Sequence, residues 1–208
     1  MQTTLTTVPQ SARSVAARTG AALAVSLLSL AVACNETGQA ASWKPRVMKV
    51  GVYTYTLPSW WDSVKVEVPE DLKDWEQVSA YVAKRYGDDT GTKDSWKEAC
   101  KTWAIADQQL GGFPVYLGHC HRTGGEYKRA AEIYADLYEL ADTQKDNRDW
   151  FRTYSAYCAG VCFESLKDTE KALTWYSRAA RYVGRSDDAG IAYYASVSAE
   201  RVSQLMKK

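Results

Sequence analysis

One spacing occurs three times in the chain and constrains its fold more than any other feature. Each occurrence has a small residue, an aromatic residue four positions later and a further apolar residue three positions after that. The three sets are Ala99, Trp103 and Ala106; Ala130, Tyr134 and Leu137; and Ala172, Tyr176 and Ala179. On an α-helix these positions lie on one face. Their recurrence indicates an internal repeat of helix pairs, in which each set lies on the second helix and faces the core.

A glycine precedes two of these sets by the same distance. Gly118 lies twelve residues before Ala130, and Gly160 lies twelve residues before Ala172. Glycine lets two antiparallel helices approach closely while the aromatic ring fills the wedge between them. This order of small, large and turn positions resembles the tetratricopeptide repeat family over residues 69–186. The resemblance implies an all-α solenoid of about three helix pairs that binds other proteins.

The chain departs from the family pattern at several points. The two glycines are 42 residues apart, whereas repeats of this family are about 34 residues long. His121, Lys167 and Gly184 stand where the family usually has a tyrosine, a turn glycine and a closing proline. The unit that contains Ala99 has no glycine twelve residues earlier in a helical setting, so it is the least regular of the three.

Residues 43–68 precede the helical region and have a different pattern. Two runs rich in β-branched and aromatic residues, VMKVGVYTYTL and VKVEV, flank the turn-rich stretch PSWWDS. This pattern predicts a short β-hairpin. Trp60 and Trp61 lie at its tip, either as an exposed recognition point or, as we expect, as packing residues against the helices.

Helix starts and ends can be read from polar residues along the helical region. Pro69, followed by two acidic residues, predicts a first helix that begins there and stops at Gly87. Ser95 with Glu98 predicts a capping box for the next helix. The final segment, residues 187–208, has a single apolar stripe and predicts a capping helix that closes the solenoid.

The N-terminal 33 residues are typical of a secretory signal peptide. Arg13 and Arg18 are their only charges, and an apolar run too short to span a bilayer follows. Cys34 comes directly after AVA, which resembles the bacterial lipobox, and this resemblance implies cleavage before Cys34 and acylation of its thiol. Plain secretion and a mitochondrial transit peptide are the alternatives. Residues 34–42 then form a tether, and Asn35 favours the outer membrane in an organism that has one.

Charge and motif content exclude several classes of function. The chain carries 26 basic and 25 acidic side chains, a formal charge of +1, which is not typical of a nucleic-acid-binding surface. It has no glycine-rich phosphate loop and no nucleophile-elbow motif. We therefore expect neither an enzyme nor a bound cofactor or metal.

A solenoid of this family binds its partners on the concave face of its first helices. Transferring the family's groove positions to this chain gives seven candidate partner-binding residues: Val115, His119, Arg122, Tyr154, Tyr157, Val161 and Glu164. Aromatic rings flanked by one cation and one anion suit an extended or helical peptide. The alternative is that this face packs against the N-terminal hairpin or the final helix.

The cysteines and histidines offer two further sites. In the repeat frame Cys100 and Cys120 face each other between neighbouring units, which suits a disulfide, or equally two small packing residues. Cys158 and Cys162 are expected to be buried packing residues. The sequence GHCH at 118–121 contains metal-binding residue types, but consecutive helical residues diverge by about 100° and do not converge on one ion.

Together these observations predict a lipid-anchored, all-α, tetratricopeptide-like scaffold that binds envelope proteins. Two alternatives are a zinc- or thiol-dependent enzyme that uses His119, His121 and the cysteines, and a glycan or cell-wall binder that uses Trp43, Trp60 and Trp61.

Overall fold

The computed structural model describes residues 47–50, 53–88, 91–92, 94–111, 113–143 and 147–207. The predicted signal peptide, Cys34, the tether and Trp43 lie outside these residues. Within the described part the protein is all-α, with seven helices: α1 (Trp75–Tyr86), α2 (Trp96–Gln109), α3 (Val115–Thr123), α4 (Tyr127–Leu140), α5 (Arg148–Ser165), α6 (Thr169–Ala180) and α7 (Ala189–Leu205). Single 3₁₀ turns occur at Trp61–Ser63 and Ala141–Thr143.

Each helix packs against the next one along the chain, and α5 also contacts α7. All nine residues of the three repeated sets are at most 4% exposed, so the expectation that these faces form the core is confirmed. At Gly118 an added Cβ would lie 2.9 Å from the ring of Tyr134, and at Gly160 it would lie 2.6 Å from the ring of Tyr176. Only glycine permits this approach of ring to backbone.

The first helix pair reaches the same packing without a glycine. Val78 and Val82 of α1 are fully buried against Ala99 and Trp103 of α2. Two β-branched side chains here meet the small residue and the ring, so α1 does not need the close approach that glycine provides in the later pairs.

Helix α1 begins later than the sequence indicates. Its N-cap is Asp74, whose carboxylate accepts a hydrogen bond from the Gln77 amide at 2.8 Å, whereas residues 69–74 are not helical. The prediction of a start at Pro69 is therefore wrong, because a capping carboxylate stabilises the helix start more specifically than a proline does. The predicted stop at Gly87 is confirmed, with φ at 81°.

The capping box predicted for α2 is also wrong. Ser95 is the N-cap residue, but its side chain makes no capping bond. The hydroxyl instead donates to the Tyr86 carbonyl oxygen at 3.0 Å, so it ties α2 to the end of α1.

The turn between α5 and α6 places a side chain in a left-handed conformation. Lys167 has φ of 61°, and the corresponding turn between α3 and α4 uses Gly125 with φ of 80°. Because a β-carbon is disfavoured there, Lys167 costs about 1 kcal/mol relative to glycine. The protein thus keeps the turn geometry even where it lacks the glycine.

The two strands lie within the first of the two β-rich runs. Strand β1 (Val47–Val50) pairs antiparallel with β2 (Tyr53–Thr56), and Met48 stands opposite Tyr55. The prediction that the run at 64–68 supplies the second strand is wrong, since these residues are not a strand. The carbonyl of Val64 instead accepts a hydrogen bond from a lysine of the helical region.

Residues 57–64 are attached to the helices by tryptophan burial and by one lysine. Trp60 is 9% and Trp61 6% exposed, so the expectation that both are packing residues is confirmed. Lys101 of α2, itself only 9% exposed, donates to the carbonyl oxygens of Trp61 at 2.6 Å and Val64 at 2.8 Å. Its ammonium also lies 4.8 Å from the Trp61 ring centroid.

A second attachment joins the end of β2 to α3 and α4. His121 Nε2 lies 2.7 Å from the Thr56 carbonyl oxygen, and its Nδ1 lies 2.7 Å from a carboxylate oxygen of Glu126. The other carboxylate oxygen of Glu126 accepts hydrogen bonds from the amide and hydroxyl of Ser59.

None of the described helices is long and apolar enough to cross a membrane.

Candidate functional site

The seven residues predicted to form a groove lie on two helices, in different surroundings. Val115, His119 and Arg122 are on α3, and all three are partly buried. Tyr154, Tyr157, Val161 and Glu164 are on α5, which α7 crosses.

Helix α7 covers part of the predicted groove. Tyr194 of α7 lies over two rings of α5, with ring centroids 4.9 Å from Tyr154 and 5.1 Å from Tyr157. Tyr154 is consequently only 3% exposed and is not at the surface, whereas Tyr157 remains partly exposed. At Tyr154, therefore, the predicted groove face packs against the final helix, which was the alternative to partner binding.

The anion of the predicted groove is also engaged. Glu164 forms an ion pair with Arg201 of α7 and accepts a hydrogen bond from the Tyr176 hydroxyl at 3.0 Å. Arg201 of α7 therefore reaches across to α5. The carboxylate of Glu164 thus connects α5, α6 and α7, and is already engaged within the protein.

His119 lies at the centre of a polar cluster between α3, α4 and α5. Its Nε2 is 2.6 Å from the Tyr154 hydroxyl, and its Nδ1 is 3.1 Å from the Tyr134 hydroxyl and 3.3 Å from Nη2 of Arg122. Burial, and then the nearby Arg122 cation, hold the pKa of His119 well below its usual range. The ring is therefore neutral at pH 7. Because a guanidinium only donates, Nδ1 accepts and the hydrogen is on Nε2.

Arg122 has no carboxylate partner among the described residues. Its Nη2 reaches His119, but its Nε is buried without a hydrogen-bond partner in the described part of the protein. Within the described part, Arg122 is therefore the unpaired cation of the predicted groove, and its charge favours an acidic group of a ligand.

Partly exposed aromatic rings lie on α3, α5 and α7 and are connected by ring contacts. We call this set the aromatic surface; its partly exposed members are Tyr116, His119, Trp150, Tyr157 and Tyr193. The buried rings of Tyr154 and Tyr194 connect them: Trp150 stacks on Tyr154 at 4.9 Å, His119 lies 5.8 Å from Tyr154, and Tyr193 lies 5.2 Å from Tyr194. Tyr116 completes the row 5.6 Å from His119.

Sequence reasoning missed three members of this surface: Tyr116, Trp150 and Tyr193. A signal was present on α5, where Trp150, Tyr154 and Tyr157 repeat the four-then-three spacing of the core sets on a first helix. The indole nitrogen of Trp150 is buried and has no hydrogen-bond partner within the described residues.

Cys100 of α2 and Cys120 of α3 lie together at the junction of the first two helix pairs. Their sulfur atoms are 2.8 Å apart, and both cysteines are free. Burial, and then the neighbouring Cys100, raise the pKa of the Cys120 thiol well above its usual range. The two sulfur atoms thus lie next to each other without a bond between them, and the predicted disulfide stays a prediction.

Cys158 and Cys162 are buried, as expected of packing residues. Burial raises the pKa of both thiols, that of Cys162 to about 12. Both are therefore protonated and poorly nucleophilic at neutral pH.

His119 and His121 point apart, one into the α3–α5 interface and the other to Thr56. The described residues contain no group of three or more histidine, cysteine or acidic side chains placed to hold a metal ion.

Comparison with known proteins adds no relative. No protein-family model matches the chain, and no curated protein or solved structure matches it either.

Proposed function

We propose that this protein is a non-enzymatic scaffold of the cell envelope, a tetratricopeptide-like array of helix pairs whose aromatic surface binds a peptide or helix of a partner protein. The observation that carries the proposal is the row of ring contacts that connects partly exposed rings from Tyr116 to Tyr193 across three helices. Aromatic rings offer a large contact area at low cost in conformational entropy, and they dominate the energetics of protein interfaces.

The charge of Arg122 indicates the partner's chemistry. Its side chain is partly exposed beside the rings and has no carboxylate partner among the described residues. A partner segment with apolar side chains on the rings and a carboxylate near Arg122 would supply that partner. We therefore propose a segment with apolar residues and at least one acidic residue.

The location proposed for this scaffold rests on the N-terminal sequence. Removal of residues 1–33 and acylation of Cys34 would anchor the protein to a membrane, to the outer membrane where there is one, with residues 34–42 as the tether. Mass spectrometry of the mature N-terminus tests this directly. A chain that begins at Cys34 with added acyl groups supports it, whereas an unmodified chain or a different first residue contradicts the anchor.

Two alternatives have less support from the geometry. Raised thiol pKa values and diverging histidines do not favour a zinc- or thiol-dependent enzyme. Trp60 and Trp61 are buried and do not offer a surface on which a glycan ring can stack.

Photo-crosslinking in intact cells tests the partner-binding surface. A photoreactive phenylalanine analogue is placed at Trp150, Tyr157 or Tyr193 in three separate variants. All three variants should give the same crosslinked protein. The same analogue at Thr174, an exposed position of α6, serves as the control and should not give it. Equal crosslinking from Thr174 would place the partner elsewhere on the molecule.

A matched pair of variants then measures the contribution of the rings. Trp150→Ala with Tyr193→Ala should weaken binding of the crosslinked partner by at least about 30-fold, since each of the two interface aromatics contributes about 1 kcal/mol or more. Trp175→Ala with Tyr127→Ala removes two partly buried rings from the second helices and should leave binding within about threefold. Loss of binding in both pairs would contradict the proposed surface.

A further inference from the structure

A cavity of about 300 Å³ lies where the end of α4, the start of α5 and the turn after α6 meet. Its walls carry four arginines, namely Arg148 and Arg152 from α5 and Arg181 and Arg185 from the turn after α6. The remaining lining residues are Tyr138, Asp149 and Tyr182. So many guanidinium groups in one small cavity need an anionic partner, because like charges brought together repel one another.

The neighbouring carboxylates neutralise only part of this charge. Asp142 binds Arg152 at 2.6 Å, and Asp149 lies 3.4 Å from Arg148 Nε. Neither Arg181 nor Arg185 forms an ion pair with a described residue, and both are exposed at the cavity. Among the described residues, four guanidiniums less two carboxylates leave a local charge of +2.

Arg152 is held in place by its surroundings. Its guanidinium lies 5.5 Å from the centroid of the Tyr138 ring and donates a hydrogen bond to Asp142 at 2.7 Å. Its Nε is buried and has no hydrogen-bond partner within the described residues. The guanidinium is thus fixed in place, and little side-chain entropy remains to be lost when a ligand binds.

We propose that this cavity binds a phosphate group, either of a soluble phosphate ester or of a phospholipid headgroup. The forked donors of arginine match the oxygens of phosphate, and a phosphate monoester dianion would balance the local charge of +2. A volume of about 300 Å³ accommodates the phosphate and the first atoms of the group that bears it. The lining contains no lysine, so recognition rests on planar, bidentate contacts.

This site is separate from the aromatic surface in both residues and chemistry. It is formed by the ends of α4 and α6 with the start of α5, and none of its lining residues belongs to the aromatic surface. The proposed scaffold role and the phosphate site can therefore fail independently.

Calorimetric titration of the full chain with inorganic phosphate at low ionic strength tests the proposal. The expected result is saturable binding that weakens as salt is added, because salt screens exposed charges. Arg181→Gln with Arg185→Gln should weaken it at least about tenfold, since the loss of one charge-assisted hydrogen bond already corresponds to that factor. Both residues are exposed, so the variant should keep its helical circular dichroism.

The control variant removes the same charge elsewhere. Lys128→Gln with Arg129→Gln lies on the exposed side of α4 and should bind phosphate as the wild type does. A parallel arm replaces phosphate with vesicles of phosphatidylglycerol, compared with phosphatidylcholine. Binding to the anionic vesicles alone, lost in the Arg181 and Arg185 variant only, would identify a lipid headgroup as the source of the phosphate.

Two outcomes would overturn the proposal. The first is an equal loss in the test and control variants, which would show a general effect of charge. The second is the absence of binding to both inorganic phosphate and phosphatidylglycerol vesicles.

Discussion

The helix pairs and the segment at residues 53–64 are held in the same structure by different forces. In the later helix pairs an aromatic ring packs on a glycine of the neighbouring helix, as Tyr176 does on Gly160. The segment at residues 53–64 also buries its tryptophan rings, but it is held in addition by polar side chains that reach backbone carbonyls, as Lys101 does at Trp61 and Val64. Packing of the first kind is encoded by local spacing, whereas bonds of the second kind depend on residues far away in the chain.

The difference predicts different responses to mutation. Loss of a ring in a helix pair removes a non-directional contact from the core and should destabilise the whole cooperative unit. Loss of a polar attachment should release one segment and leave the helices folded, since local opening needs less free energy than global unfolding.

The largest effect is expected for Tyr176→Ala. The ring is 2% exposed and fills the space over Gly160, so its removal should lower the free energy of unfolding by about 3–5 kcal/mol. Urea denaturation followed by circular dichroism measures the change. Trp175→Ala, one residue away and partly exposed, should cost less than half as much. Similar losses for both would show that the wedge over Gly160 has no special role.

A smaller and local effect is expected for Lys101→Met. The variant keeps the aliphatic stem but leaves the carbonyls of Trp61 and Val64 without the ammonium, at a cost of about 2–3 kcal/mol. Hydrogen exchange should show faster exchange in residues 53–64, with the amides of α5 and α6 unchanged.

Lys97→Met is the control for this attachment. Lys97 lies one helical turn earlier, and its ammonium makes cation–π contacts with the rings of Trp60 and Trp96. The variant should therefore lower the free energy of unfolding by less than about 1 kcal/mol. If Lys101→Met accelerates exchange throughout the helices, the two regions are a single cooperative unit and the comparison fails.

The smallest effect concerns His119, the neutral histidine of the helix-pair interior. Its folded-state pKa is lowered by burial and by Arg122, so the unfolded chain binds the proton more readily. Stability from this residue is complete above the unfolded pKa of about 6.5 and falls as the pH drops below it, by up to about 1.4 kcal/mol per pH unit.

Comparison with His119→Gln isolates this contribution. Asp107 has a raised pKa because of burial and gives the opposite slope above pH about 3.8, but this contribution is common to both proteins and cancels. The wild type should therefore lose stability faster than His119→Gln between pH 6.5 and 5 in urea titrations. Parallel curves would show that His119 is not buried in its neutral form.

Much of the helical framework could be predicted because its determinants are local. The spacing of Ala172, Tyr176 and Ala179 is enough to identify a buried helix face, and the glycine twelve residues earlier identifies the point of closest approach. Helix ends were less predictable. Asp74 and Pro69 are both good start signals, and only the bond from Gln77 to Asp74 distinguishes them.

The candidate site was predicted only in part, because the exposure of its residues depends on α7, which is distant in the sequence. Tyr154 and Glu164 lie on the helix face that the repeat frame indicated, but α7 packs over them through Tyr194 and Arg201. Nothing in the local pattern of α5 specifies how far α7 reaches. Trp150, which lies beyond that contact, was therefore missed.

The β-rich runs show the same limit in another form. Residues 64–68 have the alternation of a strand, yet Val64 uses its carbonyl for Lys101 and the run stays outside the sheet. Alternation reports a residue's suitability for an extended conformation, not the identity of its hydrogen-bond partner.

The long-range attachments of the N-terminal segment impose an order on biosynthesis. Thr56 is bound by a residue 65 positions later and Ser59 by one 67 positions later, and a chain is made from its N-terminus. The β-rich segment therefore exists before any of its partners, and a two-stranded ribbon is at best marginally stable alone. Until α3 is complete, the open edge of this ribbon is available for pairing with other nascent chains. Aggregation of newly made protein, not loss of the mature fold, should be the first consequence of slow helix formation.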